Sequence, residues 1–378
     1  MTRPLLEVGM HWFPRAGGTD RYFNGLVQAF ERASVPFHAI AFGEENSSNG
    51  KRPQFECLGP RNANALRRFS RIRASAKRVL REQNGATVVA THFALYAAPL
   101  LDIFPRNSHV VHFHGPWCDE SAVEGQSAAV VFFKRQLELT VYRTASRFIV
   151  LSEAFANLLV ERFHIPEEKI SIIPGAIDSA AFHVDASREQ AREHLGWPQD
   201  RRIIVCVRRL TQRMGLTMLI DAIDKVRRRF PEVLLLIAGK GRMHDELAAM
   251  IKTSGLDNYV KLLGYVADDQ LPWAYRGADL SIVPSQALEG FGLVTLESLA
   301  AGTPVMVTPV GGLCDAVQGL SANLVLQGCS SEDLALGLSG YLDGTIHLPS
   351  EERCRDYVRL GFDWSVIAPR VLEVYQSA

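Results

Sequence analysis

Residues 280–297 read Leu280-Ser281-Ile282-Val283-Pro284-Ser285-Gln286-Ala287-Leu288-Glu289-Gly290-Phe291-Gly292-Leu293-Val294-Thr295-Leu296-Glu297. The run Leu280–Val283 has the length and apolar character of a strand, and Pro284-Ser285 turns the chain. Two glycines around Phe291 permit an unusual turn and close backbone approach. A helical stretch follows over Leu293–Ala301. With its start at about Gly292, the free N–H groups of Phe291, Gly292 and Leu293 would face an anion. Glu297 sits in the first turns of that helix, near the same pole. A carboxylate touching a bound phosphate would repel it, so Glu297 is suited to accept from a pair of hydroxyls. Glu289, just before the loop, could accept from hydroxyls too. A glycine loop with two surface acids has the same spacing, so the stretch alone leaves both readings open.

The same strand–loop–helix unit recurs in both directions. Upstream, strands are predicted at Leu5–Met10, Phe37–Phe42, Thr87–Thr91, His109–Phe113, Phe148–Leu151, Ile170–Ile173, Ile203–Val207, Leu234–Ala238 and Val260–Leu263. Downstream they fall at Val305–Thr308 and Leu324–Leu326. Nearly all are continuous apolar runs, which suit parallel strands covered on both faces. Helical stretches such as Tyr22–Ala33 and Leu216–Arg229 lie between them and point to βαβ units. A break follows Pro174-Gly175-Ala176-Ile177-Asp178, then a polar helical stretch from about Ser187 to Leu195, then a fresh strand. The fold class is therefore α/β, with two tandem Rossmann-like, doubly wound domains. Such domains bind ligands beyond the carboxyl ends of their strands, and two of them facing each other would form a cleft.

Composition removes several other classes. The 378 residues carry 41 basic and 41 acidic groups, so no global charge draws the chain to nucleic acid. Glu7 interrupts the first apolar run before signal-peptide length. The longest uncharged stretch, Gln83 to Leu101, contains Asn84, Gly85, His92 and Pro99 and is not a membrane span. The six cysteines are widely spaced without a C-x-x-C pair, the pattern of free thiols in a reducing cytoplasm. The dinucleotide G-x-G-x-x-G, the Walker A loop and the G-x-S-x-G elbow are all absent. The neutral total hides an asymmetry: residues 1–110 hold 15 basic and 8 acidic groups. The excess sits in Arg61, Arg67, Arg68, Arg71, Arg73, Lys77, Arg78 and Arg81. A basic helix there could touch anionic lipid at a membrane face or a phosphorylated acceptor. It could equally be a solvated face whose Arg stems cover apolar surface.

The neighbourhood of the opening stretch narrows its reading. Val207-Arg208-Arg209-Leu210 ends one strand, and Met214-Gly215 opens a helix. Leu263-Gly264-Tyr265-Val266 leads to Ala278-Asp279-Leu280, and Ala301-Gly302-Thr303-Pro304-Val305 leads to Gly311-Gly312. With Gly17-Gly18, Ile173-Pro174-Gly175 and Trp364 with Tyr375, the chain resembles the retaining glycosyltransferases of family 4, which have the two-domain GT-B fold. The resemblance implies an acceptor-side domain over 1–182, a nucleotide-sugar domain over 183–360, and a final helix over 361–378 crossing back to the first. It implies that Glu297 holds the donor ribose, Glu289 contacts the donor sugar, and Arg209 binds the diphosphate. Gly290 and the backbone of Phe291, Gly292 and Leu293 would meet sugar and diphosphate oxygens. Gly264, Tyr265 and Val266 would line the base pocket. Gly17 and Gly18 would approach the diphosphate and acceptor, and His114 would face the reacting side of the donor sugar.

One departure stands out. The family usually has a lysine five residues after this arginine, and here Met214 occupies that position. Arg213, Arg208, Lys240 and Arg242 are candidate replacements for the missing cation. His114 ends a strand before a Gly-Pro turn, at the edge where ligands bind, although a strand-end histidine is often only structural. His112 is expected on the opposite face, as a structural residue, and His92 as a weaker acceptor-side candidate. No two Asp residues lie two apart, so the D-x-D metal pattern is missing, and neither metal nor cofactor is expected. The expected reaction moves a sugar from a nucleoside-diphosphate sugar, a UDP-sugar by preference, to an acceptor hydroxyl with retention. A sugar-nucleotide epimerase and a binding protein without catalysis are the rival readings.

Overall fold

The computed structural model describes residues 3–12, 17–43, 54–60, 62–83, 87–105 and 107–378. Two compact units emerge: Met1–Ala176 with Trp364–Ala378, and Ile177–Asp363. The first is built on a seven-stranded sheet in the order β3-β2-β1-β4-β5-β6-β7. Its strands are β1 (Leu5–His11), β2 (Phe37–Phe42), β3 (Phe55–Cys57), β4 (Val88–Thr91), β5 (His109–Phe113), β6 (Arg147–Val150) and β7 (Ile170–Ile172). The second holds β8 (Arg202–Val207), β9 (Val233–Ala238), β10 (Val260–Gly264), β11 (Leu280–Val283) and β12 (Val305–Val307), in the order β10-β9-β8-β11-β12. Every strand pair is parallel. The continuous apolar runs explain this: β9 is buried at all six positions, as a strand with helices on both faces must be.

Both sheets reverse their strand order at one point, β1/β4 in the first and β8/β11 in the second. Loops leaving neighbouring strands in opposite directions open a crevice at such a point. The second unit's core packs the helix Leu216–Val226 and the helix Ser331–Leu342 onto β8 and β9 through Leu219, Ile220, Ile223, Leu334 and Leu338. A capping box at Ser187 and Gln190 starts the helix Arg188–Leu195, and Gly196 in the left-handed conformation ends it.

Three details differ from the sequence expectations. Leu324–Leu326 is not a strand: Ala322–Leu324 forms one 3-10 turn and only Val325 bridges to Val307. An extra edge strand, Phe55–Cys57, is too short and too polar in the middle to show a period. The first unit ends at Ala176, because Ser179 donates to Asp363 at 2.7 Å and Phe182 packs on Tyr275 inside the second unit.

The first unit buries ionisable groups in uncharged form. Burial lowers His92 and His109 to about 3, and His112 and His114 well below their usual value. Burial raises Glu7 to about 8, partly offset by the Tyr375 hydroxyl. The unfolded chain binds protons at these histidines below 6.5 and the folded chain does not, so stability is lost as pH falls. Glu7 acts oppositely: the unfolded acid ionises at 4.5 and the folded one near 8, so stability is lost as pH rises between them. Each group contributes about 1.4 kcal/mol per pH unit within its window. Four histidines outweigh Glu7 below 6.5, and Glu7 acts above it. Melting of this unit is therefore expected to peak near pH 6.5 and to fall on both sides, and a calorimetric series from pH 5 to 9 checks this.

Candidate active site

In the second unit, Arg208 and Arg209 follow β8 and part company. Arg208 turns inward, 9% exposed, and its Nη2 donates to Ser285 Oγ at 2.6 Å and pairs with the Glu289 carboxylate. The Met214 sulfur lies 2.8 Å from the same nitrogen, so the methionine floors the guanidinium's slot. Burial pushes the Glu289 carboxyl up, but the charges of Arg208 and Arg213 and the Ser285 hydroxyl outweigh it and hold the group ionised. Arg209 points outward, exposed, with no bonded partner among the described residues.

Arg213 is placed as a brace and not as a surface cation. It is 6% exposed, and its Nη1 donates to the Leu288 carbonyl at 2.9 Å. Leu288 itself is held at φ +52, a conformation a branched side chain rarely takes. The loop before Glu289 is thus strained and tied at once. Gly290 is half-buried, Phe291 is buried against Phe362 with ring centroids 5.8 Å apart, and Gly292 at φ +73 caps the helix Leu293–Ala300. The first-turn N–H groups of such a helix have no partner within it. Glu297 is 2% exposed and its Oε2 accepts from the Tyr275 hydroxyl at 3.0 Å. Gly264 ends β10 at φ +70; beyond it Tyr265 is exposed with Lys240 Nζ 5.5 Å from its ring, and Val266 is half-buried. All these residues follow carboxyl ends of strands.

In the first unit, Gly17 caps the helix Gly18–Arg32, with open space where both glycines would carry a Cβ. The loop residues 13–16 lie outside the described residues, as does Arg61. His114 follows β5, half-buried, and its ring packs edge-on against Tyr22. His92 Nδ1 lies 3.1 Å from His114 Nε2. His112 is on the same face as His114, which corrects the sequence expectation: residues two apart in a strand point the same way. Its ring stacks on His92 at 4.2 Å, and its Nε2 is 2.6 Å from the Tyr375 hydroxyl. His92, only 2% exposed, supports His114 instead of lining a surface. These three histidines are the one group of metal-ligating type among the described residues. Their rings lie near-parallel; His92 bonds to His114 and Glu7, and His112 bonds to Tyr375, which suits a stack held by hydrogen bonds at its ends.

The basic helix Ala65–Glu82 spends much of its charge internally. Arg68 donates to Tyr96, Arg71 to the Leu58 carbonyl, Arg73 to Asp102 and Arg78 to Glu56. No helix among the described residues is long and apolar enough to cross a membrane.

Comparison with known proteins gives a consistent result. Residues 187–360 match the family model described as Glycosyl transferases group 1, and residues 16–181 match Glycosyltransferase Family 4. Mannosylfructose-phosphate synthase of Agrobacterium fabrum is 32% identical over 257 residues, covering 64% of this chain and 55% of that protein. A D-inositol 3-phosphate glycosyltransferase of an Arthrobacter species is 31% identical over 245 residues, covering 64% and 58%. The chain thus spans less than two thirds of these relatives' length. Among solved structures, sucrose-phosphate synthase from Thermosynechococcus elongatus superposes with a TM-score of 0.81 at 21% identity, covering 99% of this chain and 98% of that one.

Gly215 supports the Arg208 side of the site. It has φ +70, and a Cβ there would strike the Pro284 carbonyl. Gly215→Ala is expected to cost about 2–3 kcal/mol, against about 1 kcal/mol for Gly196→Ala, which is left-handed but has open space. Denaturant unfolding of both variants checks the difference.

Proposed function

This chain belongs to the family 4, group 1 glycosyltransferases of the GT-B fold, and we propose that it transfers a sugar with retention from a UDP-sugar to an acceptor hydroxyl. The observation that carries the reading is the edge formed by β8 and β11. It presents an exposed arginine that has no side-chain partner among the described residues, the start of the helix at Gly292, an ionised Glu289 and a buried Glu297. Cation and helix N-terminus suit a leaving diphosphate, and both can act on charge that develops as the sugar departs. Glu297, oriented by Tyr275, suits the ribose hydroxyls, and Glu289 suits the sugar hydroxyls. Tyr265 and Val266 suit the base.

Met214 stands where the resemblance implies a lysine, and the Arg208 guanidinium supplies positive charge beside it. That guanidinium lies against the Met214 sulfur and is neutralised in part by Glu289. Arg209 then carries most of the diphosphate. No carboxylate stands as an obvious nucleophile, so we favour a front-face route in which the leaving phosphate oxygen takes the acceptor proton and the protein positions the acceptor. No metal enters this route. The acceptor is a hydroxyl compound. Two relatives are named for phosphate-bearing sugars or polyols, which makes phosphorylated acceptors the first to test. The exposed Arg67 and Arg81 are the groups of the basic helix available to an anionic acceptor or lipid surface.

A thermal-shift screen of UDP, GDP, ADP and their sugars should single out one uridine compound, since a ligand held at a hundred times its Kd stabilises by about 2.7 kcal/mol. Absence of any nucleotide response would sink the reading. Arg209→Ala should leave the melting temperature unchanged, because the side chain has no partner among the described residues to lose, and lower kcat about a hundredfold to a thousandfold. Near-wild-type turnover in that variant would remove Arg209 from the site. Sugar interconversion on donor alone would favour the epimerase instead.

A further inference from the structure

Behind His114 the first unit contains a run of bonded ionisable groups that reaches from its edge to the sheet interior. His114 Nε2 lies 3.1 Å from His92 Nδ1, and His92 Nε2 lies 3.0 Å from Glu7 Oε2. Glu7 and His92 side chains are both 0% exposed. The sheet register produces the alignment. Glu7 pairs with Ala90 and Ala90 with Val110, so Glu7, His92, His112 and His114 all share one face.

We propose that Glu7 and His92 act as positioning residues that fix which nitrogen of His114 carries its proton, presenting Nδ1–H to the ligand. Each bond in the run has one donor and one acceptor, so the state of Glu7 sets the direction of all of them. As an acid, Glu7 donates from Oε2 to His92 Nε2. His92 then donates from Nδ1 to His114 Nε2, and the single proton of neutral His114 must sit on Nδ1. Ionisation reverses the run. The proton on His114 Nδ1 leaves to solvent, His92 passes its Nδ1 proton to His114 Nε2, and Glu7 passes its proton to His92 Nε2. The net change is one proton lost, a carboxylate at Glu7, and His114 with a bare Nδ1.

Several features favour the acid form near neutral pH. Glu7 Oε1 is buried without a partner among the described residues, a heavy cost for a carboxylate and a smaller one for an acid. Among the described residues, no ion pair joins Glu7 to a lysine or arginine. The titratable groups that act on it are Tyr22 from the helix Gly18–Arg32, His92 after β4 and Tyr375 from the closing helix, with His112 on β5 bonded in turn to Tyr375. The charge of Asp20, which is bonded to His11, also acts on His92. Burial keeps His92, His112 and His114 uncharged, with the neighbouring His92 adding to the effect on the other two.

The inference rests on reading His114 as a ligand-facing group, but its first test does not. In protein labelled with 15N-histidine, long-range 1H–15N correlation distinguishes the two tautomers, and the signal lost in His114→Asn identifies the residue. The wild type should show Nδ1–H at pH 6.5 and Nε2–H at pH 9.5. Glu7→Gln, whose amide donates as the acid does but cannot ionise, should show Nδ1–H at both. In the transfer assay, wild-type kcat should fall about tenfold per pH unit above the ionisation of Glu7, and Glu7→Gln should remove that fall. The wild-type spectra alone decide the matter if the variant does not fold. One tautomer at both pH values, or a divalent metal released stoichiometrically on unfolding, would overturn the relay. A tautomer switch in a protein that transfers no sugar would uphold the relay and refute only the functional reading.

Discussion

Parallel pairing is the constraint on which the rest depends. A parallel strand cannot turn directly into its neighbour, so each must be followed by a crossover that leaves its loop at the carboxyl edge. Both sheets are parallel throughout, so every loop that bears a site residue is delivered to one edge of its unit. The reversal of strand order then separates two adjacent loops and leaves room between them. Arg208, Arg209, Ser285 and Glu289 on one sheet, and His92 and His114 on the other, owe their places to this geometry.

The two units manage buried polarity differently. The second uses charge against charge: Arg208 meets Glu289, and Arg192 meets Asp279 at 2.6 Å. Such pairs hold only while both partners remain, since a lone buried charge is costly. The first unit buries groups that stay neutral, with aromatic faces around them. Tyr22 packs on His92, His112, His114 and Trp364, and Phe23 packs on His92. Fixed charges suit the binding of an anion, whereas neutral groups with movable protons suit discrimination among hydroxyls.

Much of the fold was legible because buried parallel strands are continuous apolar runs. Phe37–Phe42, His109–Phe113 and Leu280–Val283 have the bounds that the runs suggest. Phe55–Cys57 was not, since three residues with a central acid carry no period. In the second unit, motif order brought Arg209, Glu289 and Glu297 into view, but chain order could not tell that Arg208 and not Arg213 would lie beside Met214. That depends on which way two adjacent side chains leave the backbone. The histidine stack was half hidden. The two-residue spacing of His112 and His114 does place them on one face, and that signal was available. Glu7, in contrast, stood out only as an acid in an apolar strand. Its partner lies 85 residues away, and no local pattern reports such a contact.

The helix Trp364–Gln376 belongs to the first unit although it lies at the far end of the chain. Trp364 fills the space beside Gly25, where any larger residue would strike its indole, and Tyr375 bonds to His112 across 263 positions of sequence. The first unit is therefore discontinuous. Its helix Gly18–Arg32 has an unfilled apolar face until residues 364–378 are supplied. During synthesis the second unit, whose residues are contiguous, can complete itself first, while the first waits as an open core. The first unit, though begun first, can be completed last. The histidine stack acquires its Tyr375 bond only once everything between has been made.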